Sequence, residues 1–266
     1  MKELETLVIP VAGRGKRLLP LTLTKPKALV KVAGKTLLDY VIEEGVQAGF
    51  KRVVVVADST QLLVFNEVTG AYKEKFPQVE FFVVEQEKPL GTGDALWRAR
   101  DLVQGGAVAM RYPDDLLLGE PGALTFLTDT YGRLKKSLLL AQEVTWERAR
   151  MCGVLESAKE VSPGVYSFSG IQEQIKNKSE NGMIARDPSS NLAIIGGYVF
   201  SNDVFYMLEE YRSSINEEDD SLPINVVFSD FLKVEEILAI KFAGKRFDCG
   251  NLEGLSEAND FLSNTR

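Results

Sequence analysis

Val53-Val54-Val55-Val56-Ala57 is an unbroken run of apolar residues in the first half of the chain. A strand with one face in water would alternate apolar and polar side chains, so this run favours a strand covered on both faces. Similar short runs lie on either side of it, and helical patterns separate them, which is typical of βαβ units and a mostly parallel sheet. The sequence therefore predicts an α/β protein with a buried central sheet.

The predicted elements extend outward from that strand along the whole chain. In the first half we expect strands at 7–11, 53–57, 79–85 and 107–112 and helices at 37–48 and 94–102. In the less regular second half we expect strands at 137–142, 154–156, 192–200 and 237–242, helices at 203–211, 226–236 and 252–262, and a mobile loop at 177–191. Because no linker or repeat interrupts the pattern, we expect one domain over 1–266.

The composition excludes several classes of function. With 31 basic and 38 acidic residues, the net charge of −7 gives no overall positive field for nucleic-acid binding. No apolar run is long enough to span a membrane and the first residues lack a signal-peptide pattern, so we expect a cytoplasmic protein. Cys152 and Cys249 are too few for a disulfide framework and are expected to be reduced. The chain has no histidine, so its chemistry depends on carboxylates, lysine, arginine, backbone amides and a hard metal.

The segment 12–27, directly after the first predicted strand, combines glycines with many cations. Gly13 and Gly15 allow the backbone to approach a ligand closely and to turn its N–H groups toward an anion. Five cations lie within this segment, namely Arg14, Lys16, Arg17, Lys25 and Lys27. In a chain of negative net charge, this density predicts a site for a polyanion such as a triphosphate.

Two common phosphate-binding motifs do not fit this segment. A P-loop requires Gly-Lys-Ser/Thr, but Gly15-Lys16 is followed by Arg17. The dinucleotide fingerprint requires a third glycine where the chain has Leu18, and Pro20 follows where the crossover helix would run. An oxidoreductase that binds a dinucleotide is therefore disfavoured.

The segment instead resembles the signature of the sugar-phosphate nucleotidyltransferases, or nucleoside-diphosphate-sugar pyrophosphorylases. That signature is approximately Gly-x-Gly-Thr-Arg-x-x-Pro-x-Thr followed by Pro-Lys, and the matching residues are Gly13, Gly15, Arg17, Pro20, Thr22, Pro26 and Lys27. The resemblance reaches Phe247-Asp248-Cys249-Gly250 and is greatest to the branch that uses UTP and glucose 1-phosphate. It implies a Rossmann-like three-layer α/β/α fold with a mixed, mostly parallel sheet. Residues 1–118 would form the nucleotide-binding half and 119–266 the sugar-binding half.

The resemblance also implies roles for the residues of segment 12–27. The backbone at Ala12, Gly13 and Gly15 would bind the nucleotide. Arg17 would stabilise the departing pyrophosphate, and Lys27 would contact the α-phosphate.

For the nucleobase, the resemblance implies Gln86 and Gly91. A glutamine amide offers both a donor and an acceptor to a pyrimidine edge. Asp94, a few residues further on, stands where that branch usually has histidine.

Two acids distant in sequence are implied to hold Mg²⁺. Asp114 and Asp115 follow a predicted buried strand, at the edge where open α/β sheets bind ligands. The resemblance assigns the metal to Asp114 and to Asp248 of the late Asp-x-Gly motif, with Asp115 as the alternative to Asp114. Two carboxylates with phosphate oxygens and water suit a hard octahedral ion.

For the sugar, the resemblance implies three residues of the second half. Gly153 would let a hexose approach the backbone. Asn177 and Lys178 align with the family's Glu-Lys, so Asn177 would contact the sugar and Lys178 its phosphate, with Lys176 as the alternative.

The expected activity is transfer of a nucleotidyl group from a nucleoside triphosphate, with UTP expected and dTTP as the alternative, to a hexose 1-phosphate. Glucose 1-phosphate is the expected acceptor, and the products are a nucleotide sugar and pyrophosphate. A catalytically silent nucleotide-sugar sensor is the rival, because Asn177 replaces a glutamate and Gly197 replaces an arginine of the family pattern. We expect no nucleic-acid or membrane partner, and the C-terminal helix could serve a homo-oligomer.

Overall fold

The computed structural model describes residues 4–150, 152–173, 188–216 and 221–264. Its strands are β1 Leu4–Pro10, β2 Lys31–Val32, β3 Lys35–Thr36, β4 Arg52–Asp58, β5 Glu80–Gln86, β6 Ala107–Arg111, β7 Asp115–Leu118, β8 Ser137–Glu143, β9 Val154–Glu156, β10 Lys159–Ser162, β11 Val165–Ser167, β12 Gly170–Gln172, β13 Leu192–Ser201, β14 Ile237–Lys241 and β15 Lys245–Asp248. Its α-helices are α1 Leu37–Gln47, α2 Leu62–Lys75, α3 Thr92–Arg98, α4 Ala123–Leu134, α5 Trp146–Ala149, α6 Asp203–Ser214, α7 Phe228–Val234 and α8 Leu252–Asn264. Short 3-10 helices lie at Lys16–Leu18, Leu21–Leu23, Lys27–Leu29, Ser59–Gln61, Arg100–Leu102 and Ile224–Val227.

The valine run in β4 is covered on both faces. Val53 and Val55 belong to one apolar cluster, which includes residues of α1, α2 and α4. Val54 and Val56 belong to a second cluster on the opposite face, which includes residues of α3, α6 and α7. All four valines are fully buried, so the predicted three-layer α/β/α arrangement is confirmed.

The central sheet is mixed, as predicted. Its order is β10-β11-β14-β8-β13-β6-β1-β4-β5. Strands β6, β1, β4 and β5 are all parallel, whereas β13 runs antiparallel between β6 and β8 and β14 is parallel to β8. Because the four parallel strands of the first half end at one edge, the loops that follow β1, β5 and β6 meet there.

A separate two-stranded sheet adjoins that edge. Strand β7, which directly follows the turn after β6, pairs antiparallel with β15. In this register Asp248 lies opposite Asp115. The pairing therefore brings the late Asp-x-Gly segment beside the acids at the end of β6.

Several elements differ from the sequence prediction. The pattern did not predict α2 or α4, which pack on the sheet face of the first cluster. In α2 only Phe65, Thr69 and Tyr72 are buried, so its apolar stripe is too narrow to give a clear helical period. The predicted helix at 226–236 is instead a 3-10 turn followed by the shorter α7. Most of the predicted loop at 177–191 lies outside the described residues.

The C-terminal helix α8 packs against its own chain. Its buried residues Leu255 and Ala258 join a cluster with Leu18, Leu37 and Phe247. This apolar face is therefore used within the protomer, and homo-oligomer formation stays a prediction. Within the described residues, no helix is both long enough and apolar enough to cross a membrane.

Candidate active site

The loop after β1 is shaped by Gly15. Its φ of +60° lies in the left-handed region, and a Cβ there would lie 2.9 Å from Thr22 Cγ2 and 3.1 Å from Lys27 Cβ. The Thr22 hydroxyl also donates a hydrogen bond of 2.9 Å to the Gly15 carbonyl oxygen. Only glycine fits this position without strain, and the turn it makes leads into the 3-10 helix that carries Arg17.

A cavity of about 330 Å³ lies at the carboxyl ends of the parallel strands. Its lining residues are Pro10, Val11, Ala12, Gly13, Lys27, Ala28, Gln86, Pro89, Gly91, Thr92, Ala95, Tyr112, Pro113 and Asp114. It thus collects most of the residues predicted to bind the nucleotide, together with Lys27 and Asp114. Gly15 does not line this cavity. Its carbonyl oxygen instead accepts from Thr22 within the loop.

The predicted base-binding turn is closely packed. Gly91 has a φ of +120°, and a Cβ there would lie 2.7 Å from the Leu222 carbonyl oxygen, so a side chain is excluded. Gln86 is buried, and its Nε2 donates to the Gly91 carbonyl oxygen at 2.9 Å and to Asp94 Oδ2 at 2.8 Å. The side chain of Gln86 is therefore held in one orientation at the cavity wall.

The structure separates the two acids after β6. The carboxylate of Asp115 is buried; its Oδ2 accepts from the Gly196 N–H at 2.7 Å and its Oδ1 accepts from Arg246 Nε. Both of its oxygens are therefore occupied within the fold. The carboxylate of Asp114 faces the cavity and pairs with Lys27 Nζ. The arrangement favours Asp114 over Asp115 as a metal ligand.

A buried arginine supports this turn. The guanidinium of Arg111 donates to the Tyr112 carbonyl oxygen at 2.7 Å, to that of Gly196 at 3.0 Å and to that of Asp115 at 2.6 Å. Burial lowers the pKa of Arg111, although Glu44 and the nearby acids oppose that shift. Burial likewise raises the pKa of Glu44, whose Oε2 lies 4.0 Å from Arg111 Nε. These carbonyl contacts fix the backbone that presents Asp114.

Two cations and two acids meet around Gly250. Arg17 NH1 lies 3.7 Å from Asp248 Oδ2, and Lys27 pairs with Asp114. A Cβ on Gly250 would lie 2.7 Å from Asp248 Oδ1, 2.9 Å from Arg17 NH2 and 3.0 Å from Lys27 Nζ. Residues from the first loop and the last strand therefore converge on one point.

The Cys249 thiol has a pKa that is shifted by burial and by the acids of the same region. It is fully buried, and burial together with the negative charges of Asp114, Asp115 and Asp248 raises its pKa to about 12. The thiol therefore stays protonated and is no candidate for a nucleophile or a metal ligand.

A second cavity, of about 710 Å³, includes Arg17 and Asp248 in its lining. Its lining residues are Arg17, Thr145, Glu147, Arg148, Cys152, Gly153, Ile194, Arg246, Asp248, Asn251, Glu253, Gly254 and Glu257. The structure thus places the predicted sugar-side glycine, Gly153, on the same wall as Arg17 and Asp248. Asn177, Lys178 and the alternative Lys176 lie outside the described residues.

Sequence analysis missed one carboxylate beside Gly153. Glu173 follows β12, which pairs with β9 next to Gly153, and a Cβ on Gly153 would lie 3.1 Å from Glu173 Oε1. Asn225 Nδ2 donates a hydrogen bond to Glu173 Oε1. No motif marks this residue, although its place a few residues before the polar loop 177–191 could have drawn attention to it.

The residues present fit a hard divalent cation. No group of three or more acids or cysteines that could hold a metal alone occurs among the described residues. Mg²⁺, however, is usually bound by one or two carboxylates together with substrate phosphates and water. The side chains of Asp114 and Asp248 are 28% and 29% exposed, and each already contacts a cation. The two carboxylates are therefore suited to bind a divalent cation that is also coordinated by the phosphates of a nucleotide.

Comparisons with known proteins identify the family. The family model described as nucleotidyl transferase matches residues 7–265. The chain is similar to UTP–glucose-1-phosphate uridylyltransferases of Bacillus subtilis strain 168 (27% identity over 96% of this chain and 89% of the relative) and of Pseudomonas aeruginosa (28% identity over 96% and 94%).

Solved structures give the same result. A UDP-glucose pyrophosphorylase complexed with UDP-glucose superposes with a TM-score of 0.84 at 26% identity, covering 99% of this chain and 100% of that one. A UTP-bound UGPase from Acinetobacter baumannii has a TM-score of 0.77 at 23% identity, covering 99% and 94%. The loop after β1, the acids at the sheet edge and a family match over nearly the whole chain show that this protein belongs to the nucleotidyl transferase family.

Proposed function

We propose that the protein transfers a uridylyl group from UTP to glucose 1-phosphate, giving UDP-glucose and pyrophosphate. The observation that carries the proposal is the meeting of Arg17, Lys27, Asp114 and Asp248 around Gly250, between two adjacent cavities. The choice of UTP and glucose 1-phosphate is supported by the names of the similar proteins.

The chemistry needs positioning and charge neutralisation more than proton transfer. A sugar phosphate is already ionised near neutral pH, so one of its oxygens can attack the α-phosphorus of UTP without a general base. A chain without histidine is suited to such a reaction. Binding both anions in line for attack lowers the barrier by orientation and electrostatic stabilisation.

The cations of the first loop act on the triphosphate. Lys27 lines the nucleotide cavity, and its ammonium would contact the α-phosphate there. Arg17 lines the neighbouring cavity with 65% of its side chain exposed, so its guanidinium can reach the departing pyrophosphate. The Gly13 backbone lies on the cavity wall, where it can approach the phosphates closely.

The family assignment implies a divalent cation, and we propose that it is Mg²⁺ bound by Asp114 and Asp248. When bound, it would reduce the repulsion between the two phosphate groups. Lys27 holds Asp114, and the Gly250 N–H donates to Asp248 Oδ1 at 3.0 Å. These contacts orient the two carboxylates before substrate arrives.

The sugar binds on the side of Gly153. The glycine leaves room for a hexose ring, and Glu173 beside it offers acceptors to sugar hydroxyls. The assignment of Asn177 to the sugar and of Lys178 to its phosphate rests on the sequence resemblance.

The experiment is a matrix of UTP, dTTP, CTP and ATP against several hexose 1-phosphates with Mg²⁺, scored by pyrophosphate release. We expect UTP with glucose 1-phosphate to give the highest kcat/KM. Binding of UDP-glucose without pyrophosphate release from any pair would instead establish the silent sensor. Highest activity with dTTP would correct the donor while keeping the reaction.

A further inference from the structure

The amide of Gln86 has two neighbours that can only accept hydrogen bonds. Its Nε2 donates to the Gly91 carbonyl oxygen at 2.9 Å and to Asp94 Oδ2 at 2.8 Å. Rotating the amide by 180° would place its oxygen against these two oxygens, which is repulsive. The amide is therefore fixed with its NH₂ group directed into the protein.

This orientation leaves Oε1 as the atom that Gln86 can offer to a ligand. Oε1 accepts no hydrogen bond from the part of the chain that the structure describes, and Gln86 lines the nucleotide cavity. The cavity wall is thus complementary to a ligand N–H group.

The carboxylate of Asp94 is itself held from a distant part of the chain. Asp94 is fully buried in α3, and its Oδ1 accepts from Arg212 Nε of α6 at 3.0 Å. Arg98 Nε lies 3.7 Å from the same oxygen. The guanidinium of Arg212 also stacks over the Trp97 ring, 4.2 Å from its centroid. Two cations therefore lie beside Oδ1 and leave Oδ2 to accept from Gln86.

We propose that Asp94, anchored by Arg212, is a positioning residue that fixes the Gln86 amide so that the site selects uracil over cytosine. This inference rests on the proposed function. The pairing edge of uracil carries one donor, N3–H, between two carbonyl oxygens, so a fixed acceptor can pair only with N3–H. Cytosine has an unprotonated N3 at the same position. Because this N3 and Gln86 Oε1 are both acceptors, they would repel each other and no hydrogen bond would form.

The test compares Asp94→Asn with the wild-type protein, using UTP and CTP as alternative donors for glucose 1-phosphate. When the oxygen of the substituted side chain accepts from Arg212, its NH₂ group faces Gln86 and favours the flipped amide. We expect the ratio of kcat/KM for UTP over that for CTP to fall by at least tenfold, since a site that hydrogen-bonds one substrate group rejects an analogue lacking that group by at least this factor.

Ser213→Ala is the matched control. It lies beside Arg212 on α6 and loses a hydrogen bond to the Glu209 carbonyl oxygen of the same helix, so the UTP-to-CTP ratio should stay as in the wild-type protein. Equal losses with UTP and CTP in Asp94→Asn would assign Asp94 a structural role only and overturn the proposal.

A binding measurement on the wild-type protein covers the case in which Asp94→Asn does not fold. Calorimetric titration with UTP, CTP and N3-methyl-UTP in the presence of Mg²⁺ should give at least tenfold weaker binding of the last two, because neither has the N3–H donor. Similar affinities for all three would overturn the inference. If UTP binds selectively but no pyrophosphate is released with any sugar phosphate, the proposed function fails while the selection of uracil stands, and the same titration of Asp94→Asn then tests the role of Asp94.

Discussion

Substituting Gly250 by alanine tests the convergence of charges directly. The added methyl would lie 2.7 Å from Asp248 Oδ1, 2.9 Å from Arg17 NH2 and 3.0 Å from Lys27 Nζ. Ordinary van der Waals contact begins near 3.4 Å, so all three groups must move by several tenths of an ångström. The backbone at Gly250 is not left-handed, and the displaced atoms are side-chain ends. The free energy of unfolding should therefore change by less than about 1 kcal/mol.

Turnover should respond much more strongly than stability. The methyl displaces Asp248, the proposed metal ligand, and both cations proposed to contact the phosphates. Misplacement of catalytic groups by such distances typically costs about a hundredfold. The assay is pyrophosphate release at saturating UTP and glucose 1-phosphate, with urea denaturation measured in parallel. A folded Gly250→Ala protein with nearly wild-type kcat would refute the placement of the reaction at this point.

Gly254→Ala is the contrasting variant. Its methyl would lie 2.1 Å from the carbonyl oxygen of Asp248 and 2.7 Å from the carbonyl carbon. Backbone atoms cannot move away as side-chain ends can, so the variant should lose about 3 kcal/mol of stability. The two glycines thus separate an effect on the site from an effect on the fold.

Three further predictions concern other parts of the molecule. Asp115→Ala should lower the free energy of unfolding by about 3 kcal/mol in urea, because it leaves the largely buried Arg246 without its carboxylate; an unchanged midpoint would exclude this structural role. Glu173→Gln should raise KM for glucose 1-phosphate about tenfold and leave KM for UTP unchanged, since Glu173 lies beside Gly153 on the proposed sugar side; equal changes in both constants would contradict that assignment. Burial raises the pKa of Glu43, but hydrogen bonds from two lysines outweigh it and hold the pKa below the ordinary 4.5. The stability that Glu43 contributes is therefore present above pH 4.5 and lost as the pH falls through the lowered pKa. Wild-type and Glu43→Gln proteins should differ in stability at about pH 6, and the difference should shrink as the pH falls through the lowered pKa. A difference that does not change with pH would argue against the ion pairs.

Local patterns predicted the parts of the fold that depend on neighbouring residues. The valine run of β4 gave a strand buried on both faces because four β-branched residues in succession leave no polar face. Thr36 and Asp39 begin α1 with a capping box, and that helix was predicted within one residue at its end. The helix α2 was missed because its buried stripe is too narrow to give a clear period. The helix α4 was missed although its buried residues Leu124, Leu127 and Tyr131 do follow a helical period.

The candidate site was predicted unevenly for a similar reason. Glycines and cations in 12–27 could be recognised together because they are consecutive, and the structure places Gly13 and Lys27 at one cavity. Glu173 carries no local signal, since its position beside Gly153 depends on the pairing of β9 with β12. The choice between Asp114 and Asp115 likewise depends on the tertiary structure, because Gly196 N–H and Arg246 Nε donate hydrogen bonds to the carboxylate of Asp115.

The sequence by itself determined that the protein has a buried sheet, a cationic glycine loop at its edge and no histidine for proton transfer. Only the tertiary structure decided which acids face that loop. The reason is that β7 and β15 are far apart in the chain and pair only when the domain folds. Their antiparallel register places Asp248 opposite Asp115. The orientation of Gln86 has the same origin, because the carboxylate that fixes it is held by an arginine from a helix of the other half.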